Sequence, residues 1–270
     1  MATAATRKST GLLRKLDKRL VMAHDDWEIY TVDASVVRNV ARHDEEFGNF
    51  ATQEEFKDLI PRGEIWLGEK SFPREGICFV VNALTRLGSK QRGASEERAY
   101  DAGIAAEREL RERLTGRTFR DGKPHARPPE EIYVDRYVEL DDHQFSIDVW
   151  RIDGHVVRSF YKTDYTEGGH GYVYPWVPKR QIWIEEGIDA WELPFVICHE
   201  YIELRLMRDV GLDYDRAHAI CSKMEFELRK GRGAKPLLAP RRRSLRKGDL
   251  ARITGEEFFE YVLETYLKTS

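Results

Sequence analysis

The sequence predicts an α+β fold in which one structural unit occurs twice. Four pairs of segments match in the same order along the chain, at nearly constant offsets of 117 to 120 residues. The matching pairs are PRGEIWLGEK from Pro61 with PKRQIWIEEG from Pro178, ICFVVNALTRL from Ile77 with PFVICHEYIEL from Pro194, RAYDAGIAAERELR from Arg98 with RAHAICSKMEFELR from Arg216, and VVRN from Val36 with VVRS from Val156. Ordered matches at one period are typical of an internal duplication. We therefore expect two homologous units, each a small antiparallel sheet packed on a helix pair, that together form a pseudo-dimer.

The duplication divides the chain into five segments. Between the two copies lies GRTFRDGKPHARPPE, whose glycine, proline and arginine content is typical of a linker. The predicted segments are a basic N-terminal arm over residues 1–23, a first unit over 24–115, a linker over 116–130, a second unit over 131–230, and a basic tail with a short amphipathic helix over 231–270.

The strands of the second unit are predicted from alternation and turn residues. FSIDVWRIDGHVVRSFY alternates polar and apolar residues around Asp153-Gly154, which predicts a β-hairpin. TEGGHGYVYPWVP follows as a glycine-rich loop that leads into an aromatic segment. QIWIEE predicts a short strand from Gln181 to about Glu186.

Two helices are expected after that strand. Asp189 is a candidate N-cap and Gly211 a candidate stop, so the first helix is expected between them. Residues 212–230 predict the second helix, with Asp213 or its neighbour near the cap. A short amphipathic helix is expected in the tail from about Glu256.

Composition narrows the classes of protein that fit. The 270 residues are 41% hydrophobic and 34% charged, which is ordinary for a globular protein. The net charge of −3 gives no overall attraction to nucleic acid or to anionic membranes. No apolar run approaches the roughly 18 residues that span a bilayer, and the N-terminal segment lacks the hydrophobic core of a secretory signal. Cys78, Cys198 and Cys221 are too few for a disulfide framework, so we expect a reducing, cytoplasmic setting.

The segment FVICHEYIELRLM, residues 195–207, places a His-Glu pair in an apolar helix with a second glutamate three residues after the pair. His199 and Glu203 are four residues apart, so both can face one ion. Imidazole nitrogen and carboxylate oxygen both bind Zn²⁺. Glu200 lies about 100° round the helix, where it can act as a general base on water without being a ligand. The alternative is a buried His-Glu pair held only by hydrogen bonds, although buried charge without a partner or a metal is costly.

A catalytic zinc site needs a third protein ligand and an open position. The second helix offers His218 as the preferred candidate, with Asp215, Cys221 and Glu225 on the same side of that helix. We assign Glu225 a scaffold role beside the ligands, because the first copy also has a glutamate there, Glu107. Two imidazoles and one carboxylate suit hydrolytic zinc and also Fe²⁺.

The two copies differ at the chemically active positions. The counterparts of His199, Glu200, Glu203 and His218 in the first copy are Asn82, Ala83, Arg86 and Tyr100. The apolar scaffold therefore recurs, whereas the candidate site does not. We expect the first unit to be metal-free and to serve as a scaffold or a substrate-binding partner.

The order of QIWIEEG, a short turn, FVICHEYIEL and a second ligand-bearing helix resembles the zincin metallopeptidases, in layout those of the ImmA/IrrE type. The resemblance covers about residues 181–229. It implies that His199 binds zinc and that Glu200 is the base. The sequence departs from that family in having HExxE instead of HExxH: Glu203 stands where a histidine is expected, and His218 where an acid is usual.

The glycine-rich loop adds two candidate catalytic residues. His170 lies among Gly168, Gly169 and Gly171, and glycine permits close approach of the backbone to a ligand. In a zincin-like layout this segment borders the cleft, so His170 and Tyr172 could polarise a carbonyl group or stabilise an oxyanion. The alternative is an ordinary hairpin with a solvent-facing histidine.

These observations predict a metal-dependent hydrolase, with zinc at His199, Glu203 and His218, that acts on a peptide or another amide bond. Two alternatives stay open: a 2-His-1-carboxylate iron enzyme, and a non-enzymatic module that binds nucleic acid or protein around a structural site. The basic clusters RKSTGLLRKLDKR and RRRSLRK could give weak contacts with phosphates. We expect a monomer or a homodimer.

Overall fold

The computed structural model describes residues 16–41, 47–119, 130–231 and 245–267. Contacts within the chain divide it into two compact units, Met1–Asp121 with Val157–Thr166, and Gly122–Val156 with Glu167–Ser270. The first unit thus includes a short segment that belongs to the second copy by sequence. The α+β class predicted from the sequence is confirmed.

The same elements occur in the same order in both copies. The first copy contains β1 (Arg19–His24), β2 (Trp27–Val32), α1 (Ala34–Val40), β3 (Phe50–Thr52), β4 (Glu64–Gly68), α2 (Phe72–Gln91) and α3 (Glu96–Thr115). The second copy contains β5 (Tyr133–Leu140), β6 (Ile147–Ile152), α4 (Gly154–Phe160), β7 (Gly168–His170), β8 (Gln181–Glu185), α5 (Leu193–Arg205) and α6 (Tyr214–Arg229). Two further helices, α7 (Leu250–Ile253) and α8 (Glu256–Val262), follow. This recurrence supports the duplication that the sequence matches indicate.

Each copy forms a four-stranded mixed sheet. The strand orders are β1-β2-β4-β3 and β5-β6-β8-β7. The outer pairs are antiparallel, but the central pairs, β2 with β4 and β6 with β8, are parallel. The expectation of antiparallel sheets is corrected in this respect, because parallel neighbours need a crossover and the segments with α1 and α4 supply it.

The hairpin predicted at Asp153-Gly154 is wrong, because helix α4 begins there. The Asp153 carboxylate accepts hydrogen bonds from the backbone amides of His155 (3.0 Å) and Val156 (3.3 Å). Asp33 caps α1 in the same way. An aspartate at this position satisfies amides that have no partner within the helix, and here this local effect outweighs the alternating pattern of the sequence.

Strand β8 and helices α5 and α6 lie close to their predicted positions. The predicted N-cap at Asp189 is wrong, because Asp189 begins a preceding turn and α5 starts at Leu193 with Glu192 at the N-cap position. Pro194 lies in the first turn of α5, where proline needs no amide hydrogen. Residues Leu206–Val210 continue α5 as a π-helical turn, and Gly211 ends it in the left-handed region, with φ 77°. Asp213 caps α6 and accepts a hydrogen bond from a first-turn amide at 2.9 Å.

Several predicted segments lie partly outside the described residues. These include most of the basic clusters and of the linker, at residues 1–15, 120–129 and 232–244. Strand β1 begins at Arg19, inside the segment expected to be an arm. In the described parts of the chain, no helix is both long enough and apolar enough to cross a membrane.

The C-terminal helices belong to the core of the second unit. Phe258, Phe259 and Val262 are buried in the same apolar cluster as residues of β8, α5 and α6. In addition, the Cys198 thiol of α5 donates a hydrogen bond to the carbonyl oxygen of Ile253 at 3.3 Å. Residues 245–267 are therefore part of the folded unit, and not a separate binding tail.

A buried ion network joins α2 to α3 in the first unit. The Arg111 side chain is 1% exposed, and its Nη1 lies 2.7 Å from Glu75 Oε2. Its Nε and Nη2 donate to Glu107 Oε1 at 2.8 and 2.7 Å. Asn82 donates to the other oxygen of Glu107 at 2.6 Å, and Arg158 Nε donates to Glu75 at 2.9 Å. Each buried charge is thus compensated, and removal of Arg111 would leave the buried Glu107 with the Asn82 amide but without a cation.

The first prediction concerns the C-terminal helix. Phe258→Ala should lower the free energy of unfolding by about 3–5 kcal/mol, because the side chain is fully buried and its loss leaves a cavity. Urea denaturation measures this, with the exposed Glu260→Ala as the matched control on the same helix. A loss under about 1 kcal/mol for Phe258→Ala would show that α8 is not part of the core.

The second prediction concerns the buried ion network. Arg111→Ala should cost about 3–5 kcal/mol of folding stability, because it leaves Glu107 buried without its cation. Arg113→Ala, at an exposed position two residues along the same helix, should change stability by less than about 0.5 kcal/mol. Equal effects of the two variants in urea denaturation would contradict the importance of the network.

Candidate metal centre

The structure brings the three predicted metal ligands together. His199 and Glu203 lie one turn apart on α5, and His218 projects from α6. His199 Nε2 is 3.3 Å from His218 Nδ1 and 3.5 Å from Glu203 Oε2. His218 Nδ1 is 2.9 Å from the same oxygen of Glu203. These three atoms form a triangle, which is the candidate metal site.

The size of this triangle fits a small divalent cation. Ligand atoms bound tetrahedrally to zinc at about 2.0–2.2 Å lie about 3.3–3.6 Å from one another. Two of the three observed separations, 3.3 and 3.5 Å, fall within that range, and the third is shorter at 2.9 Å. His199 and Glu203 are buried, and His218 is partly exposed.

The orientation of His199 is fixed by Glu225. His199 Nδ1 lies 2.9 Å from Glu225 Oε2, so in the neutral ring, which is the form that binds a metal, this nitrogen carries the hydrogen and the lone pair is on Nε2, toward the triangle. Glu225 is itself held by Arg229, whose Nε donates to Oε1 at 2.7 Å. Arg229 Nη1 in turn lies 3.0 Å from Glu192 Oε1. The scaffold role predicted for Glu225 therefore has a geometric basis.

This chain of contacts has a counterpart in the first unit. Asn82, Glu107, Arg111 and Glu75 occupy the positions that align with His199, Glu225, Arg229 and Glu192. In both units the arginine bridges two glutamates. Glu107 accepts a hydrogen bond from Asn82 in the first unit, and Glu225 accepts one from His199 in the second. The support behind the candidate metal ligand is thus a network that both copies share.

Burial and hydrogen bonding have opposite effects on the pKa values of His199 and Glu203. Burial by itself would lower the pKa of His199, but hydrogen bonds with Glu203 and Glu225 outweigh burial and hold that pKa well above its usual range. Burial by itself would raise the pKa of Glu203, but hydrogen bonds with His170, His199 and His218 hold it well below its usual range. The metal-free site is therefore a tight pairing of imidazole and carboxylate groups, and a cation would replace the protons.

Glu200 lies next to the triangle and differs from the other carboxylates. Burial raises the pKa of Glu200 to about 8, and the negative charge of Glu203 adds to this rise. The side chain packs tightly on strand β7, since a Cβ atom added at Gly168 would lie 2.8 Å from Glu200 Oε1. Glycine at position 168 therefore leaves the room that the Glu200 carboxylate occupies.

The first unit fills the corresponding space with an aromatic ring. Phe50 pairs with Leu67 in the sheet register, as Gly168 pairs with Ile184, so Phe50 is the counterpart of Gly168. Phe50 packs on the apolar cluster that contains Ala83, the counterpart of Glu200. The first copy thus combines a large residue, Phe50, with a small one, Ala83. The second copy combines Gly168 with the carboxylate of Glu200.

A guanidinium replaces the candidate ligands in the first unit. Arg86, the counterpart of Glu203, forms ion pairs with Glu55 (2.7 Å) and Glu96 (2.8 Å). Its guanidinium carbon lies 5.8 Å from the centre of the Tyr100 ring, the counterpart of His218. The expectation that this unit is metal-free is consistent with a fixed positive charge at that position.

His170 is fully buried and contacts Glu203. Its Nε2 lies 3.1 Å from Glu203 Oε1, and its Nδ1 accepts a hydrogen bond from the Tyr172 backbone amide at 3.2 Å. The alternative of a solvent-facing His170 is therefore wrong, whereas the role of His170 and Tyr172 in polarising a carbonyl group or stabilising an oxyanion stays a prediction. The Tyr172 ring is partly buried and has Lys179 Nζ 4.1 Å from its centre.

Other candidates for the third ligand lie outside the triangle. Among the described residues, two groups of three could hold a metal: His199, Glu203 and His218, or His170, Glu200 and Glu203. Asp215 is exposed, and Cys221 is fully buried in the apolar core. Neither belongs to these groups, and His218 is the candidate on α6 that does.

Two neighbours of His218 were not predicted from the sequence. Tyr214 stacks on the His218 ring, with centres 5.1 Å apart and planes inclined by 28°. Ser222 Oγ lies 3.4 Å from His218 Nε2. Both lie four residues from His218 on α6, so helical spacing is the signal that could have identified them.

Comparison of the chain with protein-family models, with curated proteins and with solved structures gave no match.

Proposed function

We propose that the second unit is a metal-dependent hydrolase, most simply a zinc enzyme that cleaves a peptide or another amide bond. The observation that carries this proposal is the triangle of His199, Glu203 and His218 with Glu200 beside it. The triangle supplies the two imidazoles and one carboxylate that hydrolytic zinc sites use. Glu200 supplies a carboxylate that is close to this set without being part of it, which is the position of a general base.

The tautomer of His170 favours this triangle over the second group of three. His170 Nδ1 accepts a backbone N–H, so the ring hydrogen must be on Nε2, which faces Glu203. A nitrogen that carries a hydrogen has no lone pair for a metal. His199 has the opposite arrangement, because its Nδ1–H donates to Glu225 and its Nε2 is available.

Glu200 is suited to proton transfer in both directions. A bound zinc ion would act as a Lewis acid and would lower the pKa of water and of nearby carboxyl groups. Glu200, whose pKa burial raises to about 8, would then lose its own proton and could accept one from the attacking water. The same carboxyl group can return that proton to the departing nitrogen. Glycine at position 168 leaves the room that this carboxyl group needs.

An iron enzyme of the 2-His-1-carboxylate type is the second candidate, because it would use the same three ligands. Glu200 favours the hydrolase, since an oxygen-dependent iron site has no need of a carboxylic acid beside the metal. A nucleic-acid-binding tail has less support, because residues 245–267 pack into the core of the second unit. The cysteines are free and buried, and we propose a reducing, cytoplasmic location.

The third prediction is that the purified protein binds one equivalent of zinc or iron. His199→Ala, Glu203→Ala and His218→Ala should each abolish stoichiometric binding, measured by elemental analysis after dialysis. His24→Ala, which changes an exposed histidine of the first copy, is the control and should retain the metal. Affinity should fall as the pH decreases, and the fall should begin above the usual imidazole pKa of about 6.5, because protons compete with the metal for His199, whose pKa is raised. Wild-type protein without stoichiometric metal would contradict the proposed function.

The fourth prediction separates hydrolysis from other metal chemistry. Glu200→Gln should retain the metal but lose about 100- to 10,000-fold of its activity on a peptide or amide substrate, because the amide cannot accept the proton. Glu186→Gln, at an exposed position after β8, should have unchanged activity. If Glu200→Gln keeps both the metal and full activity, the hydrolytic mechanism is wrong and the iron enzyme gains support.

A further inference from the structure

We propose that His170 is a positioning residue that restricts Glu203 to one metal-binding oxygen and so preserves an open coordination position. This inference rests on the proposed metal site. It replaces the direct catalytic role that the glycine-rich loop suggested for His170. It depends on the contacts of His170 with the backbone after strand β7 and with Glu203.

The backbone determines which ring nitrogen of His170 carries the hydrogen. The Tyr172 amide can only donate, and it lies 3.2 Å from His170 Nδ1. His170 Nδ1 therefore presents its lone pair, and in the neutral ring the hydrogen is on Nε2. His170 is thus a fixed donor toward Glu203 Oε1, at 3.1 Å. Its side chain is fully buried, so water does not compete for this hydrogen.

The two oxygens of Glu203 consequently have different partners. Oε1 accepts from His170, whereas Oε2 lies 2.9 Å from His218 Nδ1 and 3.5 Å from His199 Nε2. Only Oε2 belongs to the ligand triangle. A carboxylate with both oxygens free could bind a metal through both and occupy a further coordination position. A catalytic site needs that position for water or substrate.

The first unit lacks both partners of this contact. Thr52 is the counterpart of His170 in the sheet register, and Arg86 is the counterpart of Glu203. Thr52 Oγ1 donates instead to Glu55 at 2.6 Å, and Glu55 forms an ion pair with Arg86. The copy that has a histidine at this position, His170, is therefore also the copy that has the carboxylate, Glu203. A purely structural role of His170 in β7 would not require this pairing.

Two substitutions of His170 separate its two hydrogen bonds. In His170→Asn, the amide oxygen takes the place of Nδ1 and can still accept from Tyr172, but no donor reaches Glu203. In His170→Gln, the amide nitrogen takes the place of Nε2 and can still donate to Glu203. The visible absorption of the Co²⁺-substituted protein reports the coordination number, because d–d bands weaken when a further ligand binds. Thermal unfolding of each variant checks that the fold is retained.

The expected result is that His170→Asn binds one equivalent of Co²⁺ with weaker d–d bands and an affinity lowered by about 10- to 100-fold, while His170→Gln resembles the wild type. A wild-type spectrum and affinity in His170→Asn would overturn the inference and leave the metal site intact. Loss of the metal from both variants would also overturn it, because His170 would then be a ligand. Absence of Co²⁺ binding in the wild type would instead be a failure of the proposed function.

Discussion

The hydrogen bond between His199 and Glu225 is the interaction on which the candidate site depends. It decides which nitrogen of His199 faces Glu203 and His218, and therefore whether the ring can be a ligand at all. Burial by itself would raise the pKa of Glu225, but the positive charge of Arg229 and the contact with His199 hold it well below its usual range, so Glu225 stays an acceptor. The ion network of Glu225, Arg229 and Glu192 thus stabilises the site, and each buried charge in it has a partner.

That network is independent of the proposed chemistry, since it occurs in both units. Arg111 and Arg229 bridge glutamates at aligned positions, and each network joins the two long helices of its own copy. What differs is the residue that the glutamate of the network contacts, Asn82 or His199. The Asn82 amide nitrogen donates a hydrogen bond to this glutamate and has no lone pair for a metal. The His199 imidazole donates with one nitrogen and offers the other as a ligand. A change from asparagine to histidine at this one position thus converts a structural contact into one of the three candidate metal ligands.

The parts of the molecule that the sequence predicted are those set by local periodicity and spacing. Helices α5 and α6, strand β8 and the proximity of His199 to Glu203 all follow from patterns within one element. The start of α4 was not predicted, because one capping aspartate, Asp153, outweighs an alternating pattern. The contacts of His170 could not be predicted either, since they depend on the backbone amide of Tyr172 and on a side chain of α5, and the sequence does not show which strand edge faces which helix. The glycine-rich pattern predicted close approach of the backbone to a ligand, whereas Gly168 leaves the space that the Glu200 side chain occupies.

The exchange of Phe50 and Ala83 for Gly168 and Glu200 has a consequence for how these two copies can change. A large residue introduced at Gly168 would meet the side chain of Glu200. A glycine introduced first at the position of Phe50 would leave a void in an apolar cluster. In each copy, changing the strand position first is therefore unfavourable. The order in which the two positions change thus limits how one copy could acquire the residues of the other.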